Sequence, residues 1–160
     1  MVRPIYDWAV NKFEMYFIMP QASRPAPAPT VESSPYWEAA KRGVLELQQC
    51  EECGHVSFPP RSRCSACLSQ SLRWTEMSGR AKLRGWCEIH ISALPGHEPP
   101  ITVVEVTLEE DPTAVLVALD ESGAVKSLAP DSAVQIRMNA DANGWSYPEI
   151  HPRPQSEPDA

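Results

Sequence analysis

Residues 50–67 read CEECGHVSFPPRSRCSAC and contain two Cys-x-x-Cys pairs, Cys50/Cys53 and Cys64/Cys67. Each pair turns the chain through a tight knuckle and directs two thiolates towards one point. The short span between the pairs predicts a hairpin that brings them together. Zn²⁺ accepts four such sulfurs at about 2.3 Å in a closed structural site. We therefore predict a structural zinc site with these four cysteines as ligands, in which no position is open to water or substrate.

Two disulfides are one alternative use of the four thiols. They require an oxidising compartment, and the N-terminal stretch does not have the apolar region of a signal peptide because Asp7, Lys12 and Glu14 interrupt it. The sequence also has no run of about 20 apolar residues, the length of a membrane span. We therefore expect a cytoplasmic protein with reduced, metal-bound cysteines.

Iron in a rubredoxin-like electron carrier is the second alternative, because rubredoxin also uses paired knuckles. Gly54 follows the first pair, as a turn with positive φ requires. Leu68 follows the second pair, where rubredoxin usually has glycine or another small residue. This difference favours zinc over iron.

Composition and pattern divide the 160 residues into four segments. Residues 1–34 form an N-terminal extension with a proline-rich linker, and residues 35–76 form a helix and zinc ribbon. An OB-type barrel is expected over residues 77–150, and a tail over residues 151–160. The predicted fold class is therefore mainly β, with one helix and a rubredoxin-like ribbon before a small barrel.

The helix is predicted from its end signals and from one apolar face. Ser34 is a candidate N-cap, Pro35 suits the first turn, and Gly43 can end the helix. Tyr36 and Trp37 share a face with Ala40, so this face docks either onto the chain's own core or onto a partner. In the second case Trp37 is a candidate interface anchor. For the N-terminus we expect either a short amphipathic helix that docks on a partner or an ill-ordered extension, from the aromatic residues Trp8, Phe13, Tyr16 and Phe17.

Alternating apolar residues predict four or five short strands after Gly79, with turn signals between them. This pattern is typical of a small closed barrel of the OB type. Cys87 falls on the expected inward set, so we interpret it as a buried apolar residue and not as a nucleophile. The residues expected inside the barrel are Ala81, Leu83, Cys87, Ile89 and Ile91; Val104, Val106 and Leu108; Val115, Val117 and Leu119; and Val134, Ile136 and Met138.

Charge argues against nucleic-acid binding, which is the other common task of ribbon and OB folds. Residues 75–150 contain five Lys/Arg against twelve Asp/Glu, a balance of −7, whereas single-strand binding requires a basic groove with stacking aromatics. Residues 35–74 are nearly neutral, with five basic and four acidic residues. Arg61 and Arg63 could offset the thiolate charge, remain solvated or contact a phosphate.

No catalytic residues are expected. The sequence lacks a nucleophile elbow, a glycine-rich phosphate loop and a His-rich metal motif. His55 is interpreted as an exposed loop residue, and the acids Glu51-Glu52 and Glu109-Glu110-Asp111 as solvated. No nucleophile can be paired with a base from sequence, and residues that bind an organic cofactor are unknown.

Several motifs of residues 35–140 resemble a known family, the acyl-CoA-associated proteins in which a helix and rubredoxin-like zinc ribbon precede an OB-fold. The motifs are specific in the ribbon and generic in the barrel. They are Pro35-Tyr36-Trp37-Glu38-Ala39-Ala40, Leu45-Glu-Leu-Gln-Gln-Cys50-Glu-Glu-Cys53-Gly54, Phe58-Pro59-Pro60-Arg61, Cys64-Ser-Ala-Cys67 and Trp74-x-x-x-Ser78-Gly79. Two positions depart from the family pattern. Ser65 stands where proline is common, and Glu109-Glu110-Asp111-Pro112-Thr113 replaces a glycine-containing hairpin.

The resemblance implies an accessory subunit without a complete active site of its own. Such proteins associate with thiolases or lipid-transfer-type thiolase homologues, and in some cases with hydratases or aldolases, in lipid, sterol or polyketide-like metabolism. It further implies that the ribbon and helix help to shape the partner's acyl-CoA site, with acyl-CoA shared between the two proteins. A nucleic-acid-binding protein and a rubredoxin-like electron carrier are the alternatives from other functional classes.

Overall fold

The structure is a computed structural model, which describes residues 24–153 of the chain. One α-helix leads into a three-stranded sheet, and a closed five-stranded barrel follows. The predicted fold class is confirmed. The expectations for Trp8, Phe13, Tyr16 and Phe17, and for most of the tail, lie outside the described residues. In the described range no helix is long and apolar enough to cross a membrane.

Helix α1 spans Ser34–Lys41, with Ser33 as its N-cap, so the predicted N-cap Ser34 is already helical. Pro35 suits the first turn because its missing N–H would have had no partner there. The helix ends before Gly43, whose φ of 79° is the left-handed conformation of a C-terminal cap. Tyr36 is only 3% exposed. The aromatic face of α1 therefore packs on the chain's own core.

The ribbon sheet has the strand order β2-β1-β3, with β1 at Glu46–Cys50, β2 at Val56–Ser57 and β3 at Leu72–Glu76. Both pairings are antiparallel. Leu47 and Val56 are fully buried on one side of the sheet. Because β1 ends at Cys50 and β3 starts opposite it, at Leu72, the two cysteine pairs lie together at one end of the sheet.

The barrel strands are β4 (Arg80–Ile89), β5 (Ile101–Leu108), β6 (Val115–Leu119), β7 (Ala133–Ala140) and β8 (Ser146–Pro152). They close in the order β4-β5-β6-β8-β7, and β7 pairs back with β4. All pairings are antiparallel except β6 with β8, which meet in parallel through Leu119 and Glu149. A 3₁₀ helix at Ala124–Ser127 precedes β7. This order is that of the OB barrel that the sequence predicts.

The barrel interior contains most of the residues that the alternation predicts. Val104, Val106 and Leu108 of β5 are almost fully buried, as are Val134 and Ile136 of β7. They form one continuous core with Tyr36, Leu45 and Leu47 of the helix and ribbon. The ribbon and the barrel therefore share a hydrophobic core.

The prediction for β6 is wrong by one residue of phase. Leu116 and Ala118 point inward, whereas Val117 is 58% exposed. The strand reads VLVAL, so both of its faces are apolar and alternation cannot indicate which one is inside. The known inward side of β5 does not identify the inward side of β6, because the register between the two strands depends on the turn that joins them.

The prediction of a buried Cys87 is also wrong, since its side chain is exposed. Leu83 lies opposite Val106, but Gly85 lies opposite Glu105, so Arg84 is an extra residue in the ladder. Such a β-bulge reverses the inside–outside phase of every later residue in the strand. The bulge places Cys87 outside, and Ile91 lies beyond the strand at 70% exposure.

Candidate metal centre and its contact with the barrel

The four predicted ligand residues converge at the end of the ribbon. Their Sγ atoms all lie within 4.8 Å of one another. Sγ of Cys50 is 3.5 Å from that of Cys67, and Sγ of Cys53 is 3.6 Å from that of Cys64. Sulfurs on a tetrahedron of about 2.3 Å radius are about 3.8 Å apart. The donor set and its spacing therefore fit one tetrahedral metal ion.

The two knuckles have the same backbone turn. The Gly54 N–H donates to the Cys50 carbonyl at 2.9 Å, and the Leu68 N–H donates to the Cys64 carbonyl at 3.0 Å. Gly54 has a φ of 74° and Leu68 a φ of 64°. A left-handed leucine costs about 1 kcal/mol, but the position accepts it. The lack of glycine at position 68 therefore does not discriminate zinc from iron through the backbone.

Electrostatics at the sulfurs shows why this cluster suits a cation. The Cys67 and Ala66 N–H groups lower the pKa of Cys64 to about 6, because backbone donors stabilise a thiolate. The His55 N–H acts in the same direction on Cys53, but the crowded sulfurs of Cys67, Cys64 and Cys50 raise the pKa of Cys53 to about 12. Four thiolates repel one another at this distance, and a divalent cation removes the repulsion.

Arg63 lies beside the second knuckle, where its guanidinium donates to the Leu68 carbonyl at 3.3 Å. The backbone N–H of Arg61 donates to the Gln48 side chain at 2.7 Å. Both arginines are exposed, so the three interpretations of their role stay open.

His55 connects the second knuckle to the barrel, a role that the sequence did not indicate. Its Nε2 lies 2.9 Å from the Ser65 hydroxyl, and its Nδ1 lies 2.9 Å from Oδ2 of Asp111. The side chains of His55 and Asp111 are only 19% and 13% exposed. The expectations of an exposed His55 and a solvated Asp111 are wrong.

Asp111 is held by donors from both modules. The Val56 N–H of the ribbon donates to its Oδ2 at 2.8 Å, and the N–H and hydroxyl of Thr113 donate to its Oδ1 at 2.9 and 2.6 Å. Desolvation raises the pKa of Asp111, but these hydrogen bonds outweigh it and lower the pKa overall. Ser65 and the loop at 109–113, the two departures from the family pattern, thus meet at His55.

Ser65, His55 and Asp111 have the connectivity of a nucleophile, a base and an orienting carboxylate. Acyl transfer also needs N–H donors aimed at the developing oxyanion. The Ala66 and Cys67 N–H groups, which follow the serine, are directed at Sγ of Cys64 instead. We therefore interpret these three residues as a bridge that holds the ribbon on the barrel.

The Ser78-Gly79 motif lies where the ribbon chain enters the barrel. The Gly79 carbonyl accepts from the Ile136 N–H at 2.7 Å, and the Ser78 carbonyl accepts from the Gln135 side chain at 2.9 Å. Gly79 has a φ of 72°, and a Cβ at this position would lie 2.5 Å from the Ile136 carbonyl oxygen. Only glycine fits here without a backbone shift.

The aromatic residues of the helix and the last strand cover one another. Trp37 lies edge-on to Trp145 at 5.9 Å and to Tyr147 at 5.8 Å between ring centroids. Lys41 lies over Trp145 and Arg24 over Tyr147, at 4.1 and 3.5 Å from the centroids. Trp37 is therefore engaged within the chain. Trp145 and Tyr147 are therefore stacked by protein groups, whereas Trp86, the third aromatic residue of the barrel segment, is 42% exposed.

Comparison with known proteins supports the resemblance found in the sequence. Residues 37–73 match the family model of the ChsH2 rubredoxin-like zinc ribbon domain. A curated relative from Thermomonospora curvata, named probable enoyl-CoA hydratase alpha subunit, is 32% identical over 91 residues. This stretch is 57% of the present chain, and the chain spans only 28% of that relative.

Two solved structures share the fold. A chain of the structure named Ltp2-ChsH2(DUF35) aldolase matches with a TM-score of 0.69 and 24% identity, over 79% of this chain and 98% of that chain. A DUF35-family protein of unknown function from Sulfolobus solfataricus matches with a TM-score of 0.53 and 13% identity, over 76% and 86% of the two chains. The helix, ribbon and barrel therefore form one recurring architecture.

Proposed function

We propose, from the match of residues 37–73 to the family model of the ChsH2 zinc ribbon domain, that this chain is a non-catalytic accessory subunit of an acyl-CoA-processing enzyme. Its partner is a thiolase-superfamily or aldolase-type protein in lipid, sterol or polyketide-like metabolism. The observation that carries the proposal is the fold match over 98% of a chain from a structure that is named an aldolase. The hydratase name of the curated relative supports the same class of assembly.

The metal part of the proposal is that Cys50, Cys53, Cys64 and Cys67 bind one Zn²⁺. Their sulfur spacing fits a tetrahedral ion, and four thiolates leave no position for a reacting water. The ion contributes folding free energy to a small ribbon and does no chemistry. Acyl-CoA is shared with the partner in this proposal, and the protein acts in the cytoplasm.

Two observations favour this function over nucleic-acid binding. The barrel segment has an acidic balance, and Trp145 and Tyr147 are already covered by Trp37, Lys41 and Arg24. A visible absorption spectrum distinguishes an iron-containing electron carrier from a zinc protein, because ferric tetrathiolate absorbs visible light and the zinc form does not.

The test is co-purification of the full chain from its native host, followed by reconstitution of the purified complex. We expect a stoichiometric complex with a thiolase- or aldolase-type enzyme. That enzyme should lose stability or acyl-CoA turnover when this chain is omitted. The control is a bait of the same tag without the chain. A chain that forms no such complex, or an enzyme that is equally stable and active alone, contradicts the proposal.

A further inference from the structure

Strand β6 is apolar on both faces, and only its inward face is fully buried. Leu116 and Ala118 point into the barrel, whereas Val117 points outward and is 58% exposed. A strand that reads as a continuous apolar run is typical of sheets buried on both sides. Within residues 24–153, the outward side of this strand is left partly open to solvent.

The strand register extends this outward surface over three strands. Residues directly opposite one another in an antiparallel ladder point to the same side of the sheet. Leu119 of β6 lies opposite Val103 of β5, and Val103 lies opposite Cys87 of β4. We call these residues, together with Val117, the outer barrel face. Its members are Cys87, Val103, Val117 and Leu119.

The bulge at Arg84 determines which residue of β4 lies on the outer barrel face. Without the extra residue, Trp86 would lie opposite Val103 and Cys87 would point inward. Glu105 lies between Gly85 and Val117 on the same side, and Arg84 pairs with it at 3.1 Å. The charged side chain that interrupts the face thus has its counter-charge within the chain.

The aromatic face of α1, a candidate partner contact by sequence, packs within the chain. Tyr36 is 3% exposed and lies 5.2 Å from Phe58, and Trp37 packs on Trp145. Among the exposed apolar side chains of residues 24–153, which also include Leu68, Trp86 and Ile91, those of the outer barrel face lie side by side on paired strands. Cys87 and Val117 are exposed and Val103 and Leu119 are half-buried, and contiguous apolar surface of this kind marks interaction sites.

We infer that the outer barrel face docks the enzyme partner of the proposed function, on which this inference rests. The occupant is a separate protein with an apolar contact patch, and two features favour it over a second copy. The chain carries a net charge of −7, which opposes self-association. In addition, the matched stretch makes up only 28% of the curated relative, so there the matched sequence is part of a longer polypeptide.

The test is the affinity of the full-length chain for the co-purified enzyme, measured by calorimetry, with the variants Val117→Asp and Val31→Asp. Val31 is 90% exposed in the turn before α1, so it is a matched valine away from the barrel face. Val117→Asp should weaken binding roughly tenfold or more, because it buries a charge at the interface centre. Val31→Asp should bind as the unchanged chain does.

A second measurement uses the unchanged protein and does not depend on how a variant folds. Cys87 is exposed, and a maleimide should alkylate it in the free chain. In the complex its alkylation rate should fall roughly tenfold or more, because the partner covers it.

Each contrary result has a distinct meaning. If the enzyme binds but both Val117→Asp and Cys87 alkylation are unaffected, the outer barrel face is not the interface and the proposed function stands. If the unchanged chain binds no such enzyme, the proposed function falls and this inference falls with it. If the free chain is a dimer in sedimentation and Val117→Asp makes it monomeric, the occupant is a second copy and the inference is overturned.

Discussion

Replacing Gly79 by alanine should destabilise the protein far more than the same change at Gly43. Both glycines have a left-handed backbone, with φ of 72° and 79°. An alanine pays about 1 kcal/mol for that conformation at either position. The surroundings differ, because a Cβ at Gly43 meets nothing within 4 Å, whereas one at Gly79 lies 2.5 Å from the Ile136 carbonyl oxygen.

The overlap at Gly79 cannot be relieved cheaply. The atom in the way belongs to the backbone of β7, and the Ile136 N–H is itself bonded to the Gly79 carbonyl at 2.7 Å. Moving the strands apart weakens that bond, and forced overpacking costs about 1 to 3 kcal/mol. We therefore expect a loss of about 1 kcal/mol for Gly43→Ala and about 2 to 4 kcal/mol for Gly79→Ala.

The assay is urea denaturation at saturating zinc, followed by tryptophan fluorescence and by circular dichroism. The midpoints should separate while the slopes stay equal, which shows that stability and not the unfolded state has changed. Equal losses for the two variants would refute the steric reasoning. A Gly79→Ala protein as stable as the parent would refute the placement of the ribbon–barrel junction.

Three further predictions concern the metal, the bridge and the aromatic contact. Elemental analysis should find about one zinc per chain, and Cys53→Ser should lose it and unfold the ribbon more than the barrel; an ordered ribbon without metal would contradict this. Asp111→Ala should cost about 2 kcal/mol because the Val56 N–H loses its acceptor. The lowered pKa of Asp111 means that this contribution is complete above its ordinary value of 3.8 and is lost as pH falls through the depressed value. The parent and the variant should therefore converge in acid, and a constant difference would exclude the carboxylate as the cause. Trp37→Ala should cost about 2 kcal/mol in denaturation, through contacts with Trp145 and Tyr147, and leave zinc content and partner affinity unchanged.

The ribbon was predictable because its determinants are local. Two knuckles and the span between them lie within residues 50–67, and their cysteines meet as the spacing indicates. The inward residues of β5 and β7 were equally readable, since polar residues such as Glu105 and Arg137 mark the opposite faces.

The misses have specific physical causes. The phase of β4 changes at the bulge at Arg84, for which Gly85, a glycine inside the strand, was the local signal. The outward side of β6 is apolar, so composition does not mark it. The bridge from Ser65 through His55 to Asp111 joins residues far apart in sequence, and each of them alone resembles an ordinary polar loop residue.

The bridge also has a consequence for the order in which the molecule folds. Cys50 and Cys67 are 17 residues apart, whereas Val56 and Asp111 are 55 residues apart. Closing the shorter loop costs less entropy, and a bound metal ion would stabilise the closed loop as soon as it forms. The ribbon is therefore expected to form early and to present the Val56 N–H and the His55 ring in place. The loop at 109–113 then docks on the folded ribbon. A chelator should therefore slow the refolding of the barrel as well as that of the ribbon.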